Sequence, residues 1–550
     1  MGNILNPGHD NNFIALVRNK EAGVFVDKTD FLGITNALLN TDGKLLAVTR
    51  PRRFGKTVTA HMLSAYYSKG YAGRKIFDGL NIAYEDSYEK HLNRYDVIYV
   101  DMNTVDGLFD IYSRKKQKAE GVDDLSDYLE YSIIEALKSN EAFSQCLAKH
   151  QIENIGVLEA LLALAQDLNT KFVFIMDEWD LVYREYRDNE ALQKKFVKLL
   201  KNLFKADGGQ ACFALAYLTG ILPIKKYNSQ SALNDFDGYN MLAPGEFAPY
   251  FGFTQAEVDG IVKNSGCKVT RQELKEWYEG YKIRGVDIYN PNSVCRAIDR
   301  NECISYWIKT SSNEEFVRLI NADFEGVRQD IINLIEGDEV AFSCANFQND
   351  MVSLKDKDDV ISLLVCLGYL GCSDTKNNYR KLAYVPNGEI RLALMGIVRK
   401  QEWYERMETV RRSENLLKAI LELDGTTAAA LIQEVRNSPA VSLLDYNDEK
   451  SLVYCVMTGL LWSTLDDYSC HREEQAGKGR LDLVYEPITP RQPLILIEFK
   501  YNHSAEEAIK QIKTKEYFKR YAGQYRNIII VGINYSSETK EHQCLIERQD

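Results

Sequence analysis

Lys56-Thr57, preceded by Gly55 in the stretch LLAVTRPRRFGKTVTA (45–60), is the first place where residue type and spacing suggest chemistry. An apolar run, Leu45–Val48, leads into a turn containing Pro51 and Gly55, and a helical pattern follows. Strand, loop and helix in that order make a phosphate cradle. Loop and helix N–H groups face an anion, Lys56 reaches the β- and γ-phosphates, and the Thr57 hydroxyl ligates Mg²⁺. The pattern G-x-x-x-x-G-K-[ST] is met except at its first glycine, where Arg50 stands. A GKT in a basic surface turn is the plain alternative, and the strand-to-helix setting favours the nucleotide.

Two carboxylates close a second apolar run, KFVFIMDEWD (171–180). Five consecutive apolar residues read as a strand buried on both faces, and ligands gather at the carboxyl ends of parallel strands. Asp177 is therefore placed to hold Mg²⁺ through water beside Thr57, and Glu178 to orient or deprotonate the attacking water. A further apolar strand, Ala211–Leu218, ends at Thr219-Gly220. Lying between the phosphate loop and the acid strand, Thr219 can sense the γ-phosphate or simply tie off its own strand.

The third constellation is C-terminal. Asp482 sits inside the apolar run GRLDLVY (479–485), and LILIEFK (494–500) places Glu498 and Lys500 two residues apart. Residues i and i+2 of a strand share a face, so Glu498 and Lys500 point together and Phe499 points into the core. With the Asp482 strand alongside, two acids converge on an ammonium. Acids in apolar strands cost several kcal/mol unless paired or metal-bound. The pair can bind Mg²⁺ by oxygen, and the lysine can position or deprotonate a water against a phosphodiester. E-x-K on a solvated edge strand is the bland reading, which Asp482 weighs against. Glu449, opening the helix 448–462, is a candidate third acid or a simple dipole-compensating residue. Gln511, on the helix 505–517, either contacts substrate and the lysine or marks a polar face.

The elements needed to hold these groups follow from periodicity. Strands at 45–48, 95–103, 171–176 and 211–218 alternate with helical stretches, among them 125–168, giving a parallel sheet with right-handed crossovers over residues 1–235. From Gly252 the pattern becomes helical: GFTQAEVDGIV has a capping box, and helices at 271–278 and up to 298 suggest a lid over 236–330. Residues 331–440 read as a connector, with a strand pair 340–342 and 382–384 flanking an apolar helix 358–370. Its Arg391, Arg399, Lys400, Arg411 and Arg412 are either a nucleic-acid-facing arm or solvated helix faces. Residues 441–550 form an α/β domain whose last strand, 527–533, closes the sheet edge.

Composition bounds the rest. The 550 residues suggest several globular domains, and a net charge of −12 excludes a global positive field for nucleic acid, so binding requires a local cleft. Eleven cysteines without C-x-x-C pairs and only seven histidines argue for reduced thiols and against a zinc enzyme. The start MGNILNPGHDNN lacks a signal-peptide pattern and a myristoylation serine, and no apolar run spans a bilayer, so a cytoplasmic protein without membrane contact is expected.

VDKT, RPRRFGKT, the strand ending in DE, YLTG, WYEGY, YNP and Tyr306-Trp307 together resemble the AAA-ATPase-like family of bacterial proteins. The later GR-x-D and E-x-K resemble the PD-(D/E)XK nuclease domain commonly fused to it. The resemblance implies an α/β multidomain chain: a P-loop, AAA-like parallel sheet, a helical lid, a connector and a restriction-endonuclease-like domain. Lys56, Thr57 and Asp177 become nucleotide and Mg²⁺ residues, and Asp482, Glu498 and Lys500 the nuclease core. Arg50, Arg52 and Arg53 are candidates to contact phosphate or a neighbouring domain, and Arg53 joins Gly55 in the nucleotide-binding set. No arginine finger is identifiable, so hydrolysis within one chain or between copies in a homo-oligomer both stay open. The expected activity is ATP-regulated, Mg²⁺-dependent cleavage of DNA or RNA. The rivals are a nucleotide-dependent switch that binds nucleic acid or a protein without cutting, and an ATPase doing mechanical work, which the lack of helicase-like motifs disfavours.

Overall fold

A computed structural model describes the chain except residues 1–11, 19–23, 70–73, 116–118, 151–155, 206–208, 225–232, 234, 308–312, 346, 348–353, 355, 376–379, 402, 404–406, 438–440, 442–447, 477–478, 490–491, 522–523, 526 and 550. The reading of the first eleven residues as free of a targeting signal lies outside the described residues. The chain divides into two compact units, one formed by 1–327 with 340–393 and the other by 328–339 with 394–550. The segment 331–440 thus contributes to both. Among the described residues no helix is long and apolar enough to cross a membrane.

In the first unit five parallel strands line up as β2-β3-β4-β1-β5. They are β1 Leu45–Thr49, β2 Asp96–Asp101, β3 Phe172–Asp177, β4 Phe213–Gly220 and β5 Asp237–Tyr239. Every residue of β1, β3 and β4 is buried, which is why these strands read as unbroken apolar runs instead of alternating ones. Because all five run the same way, the phosphate loop, Asp101, Asp177 and Thr219-Gly220 leave the sheet at one edge. The expected 125–168 helical region is three helices, Leu125–Lys138, Glu141–Lys149 and Val157–Leu168. The first starts at a capping box between Asp124 and Asp127. One face of the sheet is sealed by aromatics: Phe31 packs edge-on against Tyr217, Phe247 and Phe251.

The region read as a helical lid has its helices, Gln255–Ser265, Arg271–Tyr278 and Pro291–Arg300, and the Thr254–Glu257 capping box. It also contains a small antiparallel sheet that helical periodicity did not announce: β6 Phe253–Thr254, β7 Tyr281–Ile283 and β8 Val286–Tyr289, ordered β6-β8-β7. Strands this short carry too few residues for a period-2 signal. A third sheet, β10-β11-β9, joins β9 Val340–Phe342, β10 Gly371–Asp374 and β11 Lys381–Tyr384.

The second unit is built on a mixed sheet, β12 Tyr468–Ala476, β13 Gly479–Pro487, β14 Leu494–Tyr501, β15 Ile528–Ser536 and β16 Glu541–Gln549, in that spatial order. Only β14 and β15 are parallel. Helices Glu408–Leu421, Gly425–Arg436 and Glu449–Thr464 share one core with the sheet, and Ala505–Thr514 covers the opposite face. One expectation is corrected, and one alternative drops out. β15 is an inner strand, because β16 pairs along its whole length and forms the edge. β14 is central, so Glu498 and Lys500 do not lie on a solvated edge. Of the connector's basic residues, Arg399 pairs with Asp466 and an Arg412 Nη1 donates to the Glu434 carbonyl at 3.4 Å, contacts that fit helix faces rather than a free basic arm.

Candidate functional site

Gly55 takes a left-handed conformation, φ 89°, at the junction of loop and helix Lys56–Tyr67, a backbone state that costs a glycine nothing. The helix thus starts at Lys56, whose ammonium is buried and donates to the Pro51 carbonyl at 3.0 Å. Burial lowers its pKa against the pull of Glu178, Asp177 and Asp180. A buried ammonium whose only hydrogen-bond partner among the described residues is one carbonyl retains donors for an anion, so the residues fit a phosphate.

Asp177, 1 % exposed, accepts the Glu178 backbone N–H at 3.0 Å, and the neighbouring Thr57 hydroxyl favours its ionised form. Burial, with Glu178 nearby, pushes its carboxyl up to about 7. An acid disfavoured as an anion until a cation arrives, beside a hydroxyl, fits a Mg²⁺ site. Glu178 carries a positive φ of 55°, rare for a non-glycine and concentrated at functional positions. Its carboxylate is paired with Arg184. Lys56, Thr57, Asp177 and Glu178 are therefore brought together.

The other two expected nucleotide residues are placed differently. The Thr219 hydroxyl donates to the Val48 carbonyl at 2.7 Å across the β1–β4 pair, so it ties strands together instead of facing the cradle. Arg53 donates to the Tyr306 carbonyl at 2.7 Å, anchoring the loop to the segment after the lid helices. Arg50, standing where the pattern has glycine, is completely buried: its Nη1 donates to the Thr49 and Tyr239 carbonyls, and it lies over the Phe251 ring. It supports the loop from beneath and does not reach toward phosphate.

Sequence reading missed the residues that hold the acid strand's end. Asp180, fully buried, accepts the Ile221 and Leu222 N–H groups at 3.2 and 3.0 Å and the Arg184 Nε at 3.1 Å. It thereby fixes the end of β4 to the turn after β3. Only glycine fits at 220, where a Cβ would stand 2.3 Å from Asp180 Oδ1. The DEWD string was the available signal.

In the second unit, β13 and β14 pair antiparallel with Leu483 opposite Ile497, which sets Asp482 beside Glu498. Asp482 accepts the Phe499 backbone N–H at 2.9 Å. Glu498 is 2 % exposed; its Oε1 receives Gln511 Nε2 and, at 3.4 Å, Lys500 Nζ. Its Oε2 is buried with no hydrogen-bond partner among the described residues. Lys500 also lies 3.6 Å from Glu449 Oε1, so the helix start contributes an acid to the cluster. Burial, then the neighbouring Asp482, raises the Glu498 carboxyl to about 8. An orphaned buried carboxylate oxygen next to a second acid fits a hard divalent cation. All five expected residues, Glu449, Asp482, Glu498, Lys500 and Gln511, converge. Tyr517 was missed: it is buried, its hydroxyl lies 3.5 Å from Gln511 Nε2, and nothing in its own short 3-10 turn singles it out.

A five-stranded parallel sheet with a phosphate loop and an acid strand, followed by a mixed sheet carrying Asp and Glu-x-Lys on neighbouring strands, defines a P-loop ATPase-like chain joined to a restriction-endonuclease-like domain. Comparison with known proteins agrees. Residues 11–228 match the AAA-ATPase-like family, described as "Predicted AAA-ATPase", and residues 449–543 match the PD-(D/E)XK nuclease superfamily. The chain carries both domains. It is also similar to an uncharacterized protein from the vnfD 5′ region of Azotobacter chroococcum mcd 1, at 23 % identity over 547 residues, covering 96 % of this chain and 95 % of that protein.

Proposed function

We propose that this protein binds and hydrolyses ATP with Mg²⁺ and cleaves nucleic acid phosphodiesters, DNA or RNA, under nucleotide control. The observation that carries the nuclease reading is the partnerless Glu498 Oε2, buried among Asp482, Lys500 and Gln511. A site that only gripped a partner has no reason to bear that cost.

Asp482 and Glu498 would hold Mg²⁺, which supplies Lewis-acid polarisation of the phosphodiester and of a water. Gln511 keeps Glu498 turned toward Asp482. Lys500 orients the water or takes its proton and offsets charge on the phosphate. Glu449 holds the lysine ammonium in position from the other side. In the first unit Lys56 would reach the phosphates, Thr57 and Asp177 would hold the metal, and Glu178 would serve as the base once released from Arg184. The working division is a P-loop domain to residue 235, a lid to 330, a connector to 440 and a nuclease domain beyond.

The test is incubation of the purified protein with single- and double-stranded DNA and RNA, with and without Mg²⁺ and ATP. Cleavage requiring Mg²⁺, responsive to ATP and absent from Asp482→Ala/Lys500→Ala is expected. Undiminished cleavage by that double variant would overturn the nuclease assignment.

A further inference from the structure

Separate from the residues of the phosphate cradle, one cluster in the first unit combines a thiol, an imidazole and a carboxylate. Cys146 lies in the helix Glu141–Lys149 and His150 caps its end, one turn later and on the same face. Asp167 comes from the last turn of the neighbouring helix Val157–Leu168. One oxygen, Asp167 Oδ2, accepts from His150 Nε2 at 2.9 Å and from the Cys146 thiol at 3.6 Å. The three ligand atoms all lie within 4.8 Å of one another. Cys146 is 2 % exposed, while the imidazole and carboxylate reach solvent.

We propose that Cys146, His150 and Asp167 form a binding site for a zinc-like divalent metal that clasps these two helices. The donor set decides the class of ion: thiolate and imidazole select zinc over the magnesium that oxygen-only sites take. The geometry is close to what ligation needs. Tetrahedral zinc with bonds of about 2.3 Å to sulfur and about 2.0–2.1 Å to nitrogen or oxygen separates its ligand atoms by about 3.3–3.6 Å. Closing the site therefore asks the carboxylate to withdraw from His150 by a few tenths of an ångström and the Cys146 sulfur and His150 nitrogen, within 4.8 Å of each other, to draw to ligand spacing.

A simple His150–Asp167 ion pair is the competing account, and one feature favours the metal. The buried thiol is aimed at the same oxygen, although an apolar side chain would pack there as well. On binding, the thiol loses its proton to solvent and sulfur donates the freed electron pair to the metal, with no redox change. Three protein ligands leave the fourth position to water. The absence of C-x-x-C pairs, which argued against zinc, does not bear on a C-x₃-H pair completed by a distant aspartate.

The test uses the full chain, stripped with EDTA and titrated with Co²⁺ as a spectroscopic stand-in, with excess Mg²⁺ filling the oxygen-only sites. The expected result is a thiolate-to-cobalt charge-transfer band saturating at one ion per chain and discharged by Zn²⁺. Cys146→Ser removes the band. The exposed substitutions His150→Ala and Asp167→Asn, which do not threaten folding, weaken binding at least about tenfold. Cys470→Ser, at an exposed cysteine elsewhere, leaves it intact. No thiolate band in the unaltered protein, or a band surviving Cys146→Ser, overturns the proposal.

Discussion

Replacing Glu498 by glutamine should stabilise the metal-free protein, and only at high pH. Glu498 is 2 % exposed, one of its oxygens has no partner among the described residues, and Asp482 lies beside it. Its carboxyl is raised from an ordinary 4.5 to about 8. A carboxyl that holds its proton more tightly when folded adds stability below its unfolded pKa and loses that stability as pH rises through the folded one. The loss therefore spans about pH 4.5 to about pH 8. At 1.36 kcal/mol per pKa unit, full ionisation costs on the order of 3–5 kcal/mol. Glutamine keeps the oxygen that Gln511 and Lys500 donate to, turns an N–H₂ toward Asp482 and carries no charge. Urea unfolding in EDTA, followed in the second unit through Trp462, should show the two proteins nearly equal at about pH 5. At about pH 9 the variant should be more stable by that amount. Adding Mg²⁺ at the higher pH should restore the unaltered protein and do little for the variant. An equal loss of stability in both proteins between the two pH values, or a difference insensitive to Mg²⁺, would refute the buried-acid argument.

Three further outcomes follow from the first unit. Lys56→Ala should weaken ATP binding about a hundredfold or more, measured by calorimetry, and abolish any ATP effect on cleavage while Mg²⁺-dependent cutting persists. Glu178→Gln should lower ATP hydrolysis about 10²–10⁴-fold with nucleotide affinity retained, as steady-state turnover and equilibrium binding will report. Gly220→Ala should cost about 1–3 kcal/mol in thermal unfolding and impair hydrolysis, since its Cβ would stand 2.3 Å from Asp180 Oδ1 and 2.7 Å from Trp179 Cδ1.

What the sequence determined by itself is local. A lysine and threonine directly after a strand and a glycine must open the next helix, and two acids directly after a buried strand must lie at its carboxyl end. Glu498 and Lys500 share a face because the strand period is two. Each of these follows from backbone geometry over a few residues, so no neighbour can alter it. The tertiary structure decided which strands touch and where long side chains end. β4 inserts between β1 and β3, yet the Thr219 hydroxyl turns to Val48. Arg50 and Arg53 fold under and beside the loop to reach Tyr239 and Tyr306, and Arg184 takes Glu178. β16 covers β15, and Tyr517, Cys146 and Asp167 meet partners that sequence spacing does not single out. Such contacts depend on packing between elements whose pairing leaves no periodic mark on the chain, which is why only the folded arrangement fixes them.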